Sequence, residues 1–174
     1  MATIALNRPF SATALTEDQF DPQWEAPPAS SAALTGPREQ SFTFAAKANT
    51  YRVLLRDHVL PAWVKPTISG FIGVQSLADN WDSYGGKTVH RELIERSLTV
   101  LVQIMRADSP APAIVPLGDG GLQVEWHRRQ QDLEIVVAAD EAPRFYYKNR
   151  ATGTEQEGLA DELGTLVQLL SNLS

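Results

Sequence analysis

Two short stretches hold the most concentrated reactive chemistry in this sequence. Leu122-Gln-Val-Glu-Trp-His127 alternates apolar and polar residues strictly, and Asp132-Leu-Glu-Ile-Val-Val137 follows after the polar connection Arg128–Gln131. Such alternation marks a strand with one buried face, so the pair reads as an antiparallel hairpin. Setting Trp126 opposite Leu133 also sets Val124 opposite Ile135 and Leu122 opposite Val137, which gathers all of these apolar residues on one face. A slip of one residue would turn them to water. The reverse face then carries His127 across from Asp132, Glu125 across from Glu134 and Gln123 across from Val136. Facing Cβ atoms in such a pair stand roughly 4.5–5.5 Å apart.

Opposed glutamates repel unless a cation, a basic side chain from a partner or a shared proton lies between them. Two Glu and a His are also a donor set for a metal ion and a set for general acid–base work. The plainer alternative is the solvated face of an antiparallel sheet, on which His127 and Asp132 form a weak pair. The sequence has no H-E-x-x-H and only three histidines, His58, His90 and His127. It also lacks G-x-G-x-x-G, the P-loop pattern and a G-x-S-x-G elbow. Gly118-Asp-Gly-Gly121 leads into a strand, whereas a phosphate cradle leads into a helix.

A second concentration is Asn80-Trp81-Asp82-Ser83-Tyr84-Gly85-Gly86, where glycines and turn-forming side chains surround two aromatics. One reading is a structural corner in which Trp81 and Tyr84 plug a gap and Asp82 caps the turn. The other lets Trp81, Asp82 and Tyr84 line a groove with the polar sheet face, because Trp and Tyr are enriched at binding hot spots.

The elements that must position these residues follow from hydrophobic spacing. Ser41-Phe-Thr-Phe44 suggests a short strand, and Thr50 is placed to cap helical turns through Tyr51, Leu54, Leu55 and Val59. Pro66 and Thr67 open a helix to about Asn80, weakened by Gly70 and Gly73. Thr88 is the expected N-cap of a long amphipathic helix to about Arg106, with Arg91/Glu95 and Glu92/Arg96 as surface pairs. Strands are expected at Ala113–Leu117, at the two stretches above, at Arg144–Lys148 and at Thr154–Glu157, with Asp161 capping a closing helix. Helices followed by strands predict an α+β domain over residues 41–174, a four- to five-stranded antiparallel meander covered on one face by helices. Met1–Gln40, rich in Pro, Ala, Ser and Thr, reads as an extended, partly disordered arm whose Phe10, Phe20 and Trp24 are candidates for docking.

Composition narrows the function classes. The absence of Cys among 174 residues excludes disulfides, thiolate-bound metals and a thiol nucleophile. A formal charge of −6 argues against a nucleic-acid binder that works by neutralising phosphates. No apolar run approaches the roughly 20 residues of a membrane span, and the start lacks signal-peptide character, so a cytoplasmic location is expected.

Residues 77–158 resemble a widespread family of small uncharacterised bacterial proteins. The resemblance is carried by Asn80–Gly85, a following helix, Pro116, Asp119-Gly-Gly-Leu-Gln-Val-Glu-Trp-His127, Asp132-Leu-Glu-Ile135 and Thr152-Gly153 before acidic residues. It implies a bacterial or phage origin, a sheet-plus-helix domain, and a setting beside mobile elements or defence modules.

The combined expectation is an acidic, non-enzymatic interaction module without cofactor. It would bind another protein with a basic surface through Trp81, Asp82, Tyr84, Gln123, Glu125, His127, Asp132 and Glu134. An inhibitor, antitoxin-like or accessory component of a defence or counter-defence system fits this description. A metal-dependent hydrolase or nuclease using Glu125, His127, Asp132 and Glu134 is the alternative from a different class, and a structural homodimer joined through the edge of the meander is a third.

Overall fold

The computed structural model describes the backbone of four strands before Leu60 and every residue from Leu60 to Ser174. The chain divides into two compact units, Met1–Val59 and Leu60–Ser174. This division falls at Val59, beyond the boundary expected at Gln40.

In the first unit, β1 (Thr3–Ala5), β2 (Phe10–Leu15), β3 (Glu39–Ala46) and β4 (Asn49–Arg56) form an antiparallel sheet in the order β1-β2-β4-β3. The expected arm is therefore paired wherever it is described, while Phe20 and Trp24 lie outside the described residues. The helical turns expected from Thr50 are also corrected, because Asn49–Arg56 is a strand. Tyr51, Val53 and Leu55 fit a period of two as well as Tyr51, Leu54 and Leu55 fit a helix. Ladder bonding to both β2 and β3 decides between them. The rest of that expected helix, residues 57–59, lies outside the described residues.

The second unit is α+β as expected. Helices α1 (Val64–Ser76) and α2 (Arg91–Ile104) precede a five-stranded antiparallel meander, and α3 (Leu163–Leu173) follows it. The strands are β5 (Ala113–Pro116), β6 (Leu122–Arg128), β7 (Gln131–Val137), β8 (Arg144–Asn149) and β9 (Thr154–Leu159), in sequential order across the sheet. The register of β6 on β7 is the one derived above: Trp126 pairs with Leu133, Val124 with Ile135 and Leu122 with Val137. All six are buried, together with Phe145 and Tyr147 from β8. Leu93, Ile94, Leu98 and Leu101 of α2 and Leu166, Leu170 and Leu173 of α3 complete this core. Trp126 is 2% exposed and its Nε1 donates to the Pro110 carbonyl at 2.8 Å, so its polar atom enters the core satisfied. Truncating a residue so placed costs about 3–5 kcal/mol.

Helix boundaries depart from the sequence reading where capping was inferred. Helix α2 starts at Arg91 with His90 as an N-cap that makes no side-chain bond. Thr88 instead gives both its backbone N–H (3.0 Å) and its hydroxyl (2.7 Å) to Asp79 Oδ1, which ties the two ends of the preceding loop together. Helix α3 starts after Glu162 and not Asp161. Arg91 does pair with Glu95, at 2.6 Å. Arg96, expected to face Glu92, donates to the carbonyls of Ala138, Ala139 and Glu141. A guanidinium gains more from three fixed carbonyl acceptors than from an exposed helical ion pair.

Gly70 has a packing role that spacing alone hides. A Cβ placed there would stand 2.8 Å from Ile114 Cγ1 and 3.0 Å from Ile114 Cβ, so the missing side chain lets α1 lie close against β5. Gly73, one turn on, faces open space. The two glycines should therefore respond oppositely to alanine. Gly73→Ala should raise stability by about 0.5–1 kcal/mol through helix propensity. Gly70→Ala should lower it despite the same propensity gain, by about 1–3 kcal/mol from overpacking. Urea denaturation of the two variants side by side measures both signs.

Candidate functional site

The inward face of the meander is fixed by burial, so its outward face follows by alternation. Pairing across all five strands sorts that face into three rows. The first, nearest the β6–β7 turn, runs His127, Asp132, Lys148, Glu155. The second runs Ala113, Glu125, Glu134, Tyr146, Glu157. The third runs Val115, Gln123, Val136, Arg144, Leu159. Charge thus grades along the strands, from an ionic end to an end where Val136 and Leu159 are exposed.

Hydrogen bonds link the ionic end into a chain. Arg150 Nε lies 3.1 Å from Asp132 Oδ2, and Asp132 Oδ1 lies 2.7 Å from His127 Nδ1. The other ring nitrogen, Nε2, stands 3.4 Å from Glu125 Oε2, which also accepts from Gln123 Nε2 at 2.9 Å. Lys148 pairs with Glu155 at 2.7 Å. Glu134 and Glu157 make no ion pair among the described residues. In the middle row only Glu125 therefore has a basic neighbour, the His127 ring. One donor atom from each of Glu125, His127 and Glu134 falls within 4.8 Å of the others.

The Asp132 hydrogen bond, aided by Glu125, holds the His127 ring above its usual pKa of 6.5, against a smaller opposing effect of burial. On β8 and β9, Lys148 is raised and Glu155 lowered, each chiefly by the hydrogen bond between them. Tyr146 is raised, first by desolvation and then by Glu155.

The loop Asn80–Gly86 is closed on itself. Asn80 N–H donates to the Gly86 carbonyl at 2.6 Å, and Asn80 Oδ1 accepts from Gly85 N–H at 2.8 Å. Asp82 Oδ1 accepts from the N–H groups of Tyr84 and Gly86, both at 2.8 Å, and these bonds hold its carboxyl below the usual range. Asn80 and Ser83 take positive φ, as does Gly85. Gly86 is required for close approach, since a Cβ there would stand 2.8 Å from both Asp82 Cγ and Trp81 Nε1. Asp82 is thus the turn's internal acceptor. Tyr84 does not plug any gap, because it is 94% exposed.

The loop is tied through Lys87 N–H to the Gly118 carbonyl, in the β5–β6 connection. His127 lies at the far end of β6, roughly 17 Å away at strand rise. The structure therefore brings Gln123, Glu125, His127, Asp132 and Glu134 together on one sheet face. Trp81, Asp82 and Tyr84 sit at the opposite end of that strand. Sequence reasoning missed Arg150, which lies beyond the hairpin and reaches Asp132 from the β8–β9 connection. It also missed Tyr146 and Glu157, whose place in the middle row follows once the register is extended over β8 and β9.

The fold and site together define a chain with an α+β unit whose five-stranded sheet carries an outward acidic face. No family model matches the chain, and no curated protein or solved structure matches it.

Because the His127 pKa is raised in the folded chain, the stabilisation it brings is complete below about pH 6.5. It is lost as pH rises through the raised folded value. Asp132→Asn removes the main cause of the shift, so the ring should titrate lower than in the parent chain. NMR titration of the His127 ring protons in both proteins checks the direction.

Proposed function

We propose that this protein is a non-enzymatic interaction module whose outward sheet face docks a basic surface of another protein. The observation that supports this most is the middle row, in which Glu125 faces Glu134 and Glu157 lies across Tyr146 without a basic partner. Like charges held opposite one another on strands are destabilising by about 0.2–1 kcal/mol, a cost that a cationic partner relieves on binding. Tyr146 offers an aromatic contact among those acids, and Val136 and Leu159 are exposed on either side of Arg144 in the next row. The formal charge of −6 adds long-range attraction for a basic surface and speeds encounter. Tyr84, presented on a loop already ordered by its own hydrogen bonds, adds a second anchor that loses little entropy on contact. An inhibitor or accessory role, cytoplasmic and in a bacterial setting, fits a small acidic module of this kind.

Capture from a lysate of the native host, using the full chain and two charge-matched variants, tests this reading. The triple variant Glu125→Gln, Glu134→Gln, Glu157→Gln should lose the captured protein, and salt should elute it from the parent chain. The control Asp108→Asn, Asp140→Asn, Glu141→Gln removes the same charge elsewhere and should retain it. Equal capture by both variants would overturn the assignment of the face.

A further inference from the structure

We propose that Glu125, His127 and Glu134 form a binding site for a first-row divalent cation of the zinc type, with Asp132 as the residue that orients the imidazole. The site shares Glu125 and Glu134 with the docking reading, but it rests on donor geometry and not on net charge.

Zinc takes imidazole nitrogen at about 2.0–2.1 Å and carboxylate oxygen at about 2.0–2.2 Å in a tetrahedron, which places neighbouring donors about 3.4 Å apart. His127 Nε2 and Glu125 Oε2 already stand 3.4 Å apart. The full set spans no more than 4.8 Å, so closure asks only for adjustment of glutamate side chains on a rigid strand pair. The backbone need not move.

A feature outside the donor set points the same way. Asp132 Oδ1 engages His127 Nδ1 at 2.7 Å, and Arg150 holds the other Asp132 oxygen at 3.1 Å. A carboxylate on one ring nitrogen holds a proton there, so a cation that displaces the proton on the opposite nitrogen takes that nitrogen's lone pair. Metal-binding histidines are oriented in this way by groups that do not touch the metal. Here that opposite nitrogen is Nε2, turned toward Glu125, and the ion would bind it in place of its proton. Two carboxylates would cancel the charge of a divalent ion, and the imidazole selects zinc-type ions over Mg²⁺ and Ca²⁺, which prefer oxygen alone. His127 keeps 47% of its side chain exposed, so the ion has a route in and water can complete its shell.

Isothermal titration of the chelator-stripped full chain with Zn²⁺, and Co²⁺ absorption as a coordination signature, test the site without any partner protein. The expected result is one equivalent of Zn²⁺, with Mg²⁺ and Ca²⁺ failing to compete at tenfold higher concentration. His127→Ala and Glu134→Gln should abolish binding while leaving far-ultraviolet circular dichroism unchanged. Asp132→Asn should weaken it by about 10–100-fold, as loss of an orienting group does, and should keep the stoichiometry. Absence of Zn²⁺ binding, displacement by Mg²⁺ or Ca²⁺, or binding that survives His127→Ala would each overturn the proposal.

Discussion

Arg129 and Gln130 form a two-residue connection in which both take positive φ, at 52° and 59°. Turns of this hand match the natural twist of the strands they join, so β6 and β7 leave the turn already aligned. Trp126 then meets Leu133, and every second residue along both strands enters the core. The same constraint has a less comfortable consequence on the other side. In this register, burying the apolar set also sets Glu125 against Glu134. The acidic face is a geometric by-product of core formation, and the surrounding side chains show how it is accommodated. Asp132 is bridged by His127 and Arg150, Glu155 is held by Lys148, and in the middle row only Glu125 has a basic neighbour, His127.

Helices α2 and α3 supply what the inner face needs: a broad apolar surface over Leu122, Val124 and Trp126 and their partners. Specific polar ties then lock the layers. Tyr147 hydroxyl donates to Gln131 Oε1 at 2.5 Å, and Gln131 Nε2 reaches the Asn172 carbonyl of α3 at 3.4 Å. Arg96 binds α2 to the connection between β7 and β8. The outward rows are thus carried on a sheet held from behind, and a rigid platform lets a few side chains keep fixed spacings.

Much of the second unit was legible because its signals are local and periodic. Strict alternation specified the β6–β7 register residue by residue, and the helical stripe from Leu93 to Leu101 specified the face of α2. The gaps have physical causes. Thr88 and Asp161 have the side chains of N-caps, but capping depends on where the backbone turns. Asp79 captured Thr88 nine residues earlier in the chain. Tyr51–Leu55 carries two compatible periods, and pairing with distant strands chose the extended one. Gly70 looked like a helix weakness because the sequence does not show Ile114 lying against it. In the site, the His127–Asp132 and Glu125–Glu134 pairs followed from one register. Arg150 required knowing how the β8–β9 connection folds back.

The last strand of the meander has its own bearing on how copies of this chain behave at high concentration. Within its sheet β9 is a rim, bonded on one side only, and its outward positions are Glu155, Glu157 and Leu159. Two such rims joining antiparallel about Gln156 would place each Glu155 directly against Glu157 of the second copy. The opposite rim is short and includes Pro116, which has no N–H to offer a newcomer. Both borders of this sheet therefore discourage further strands from adding on.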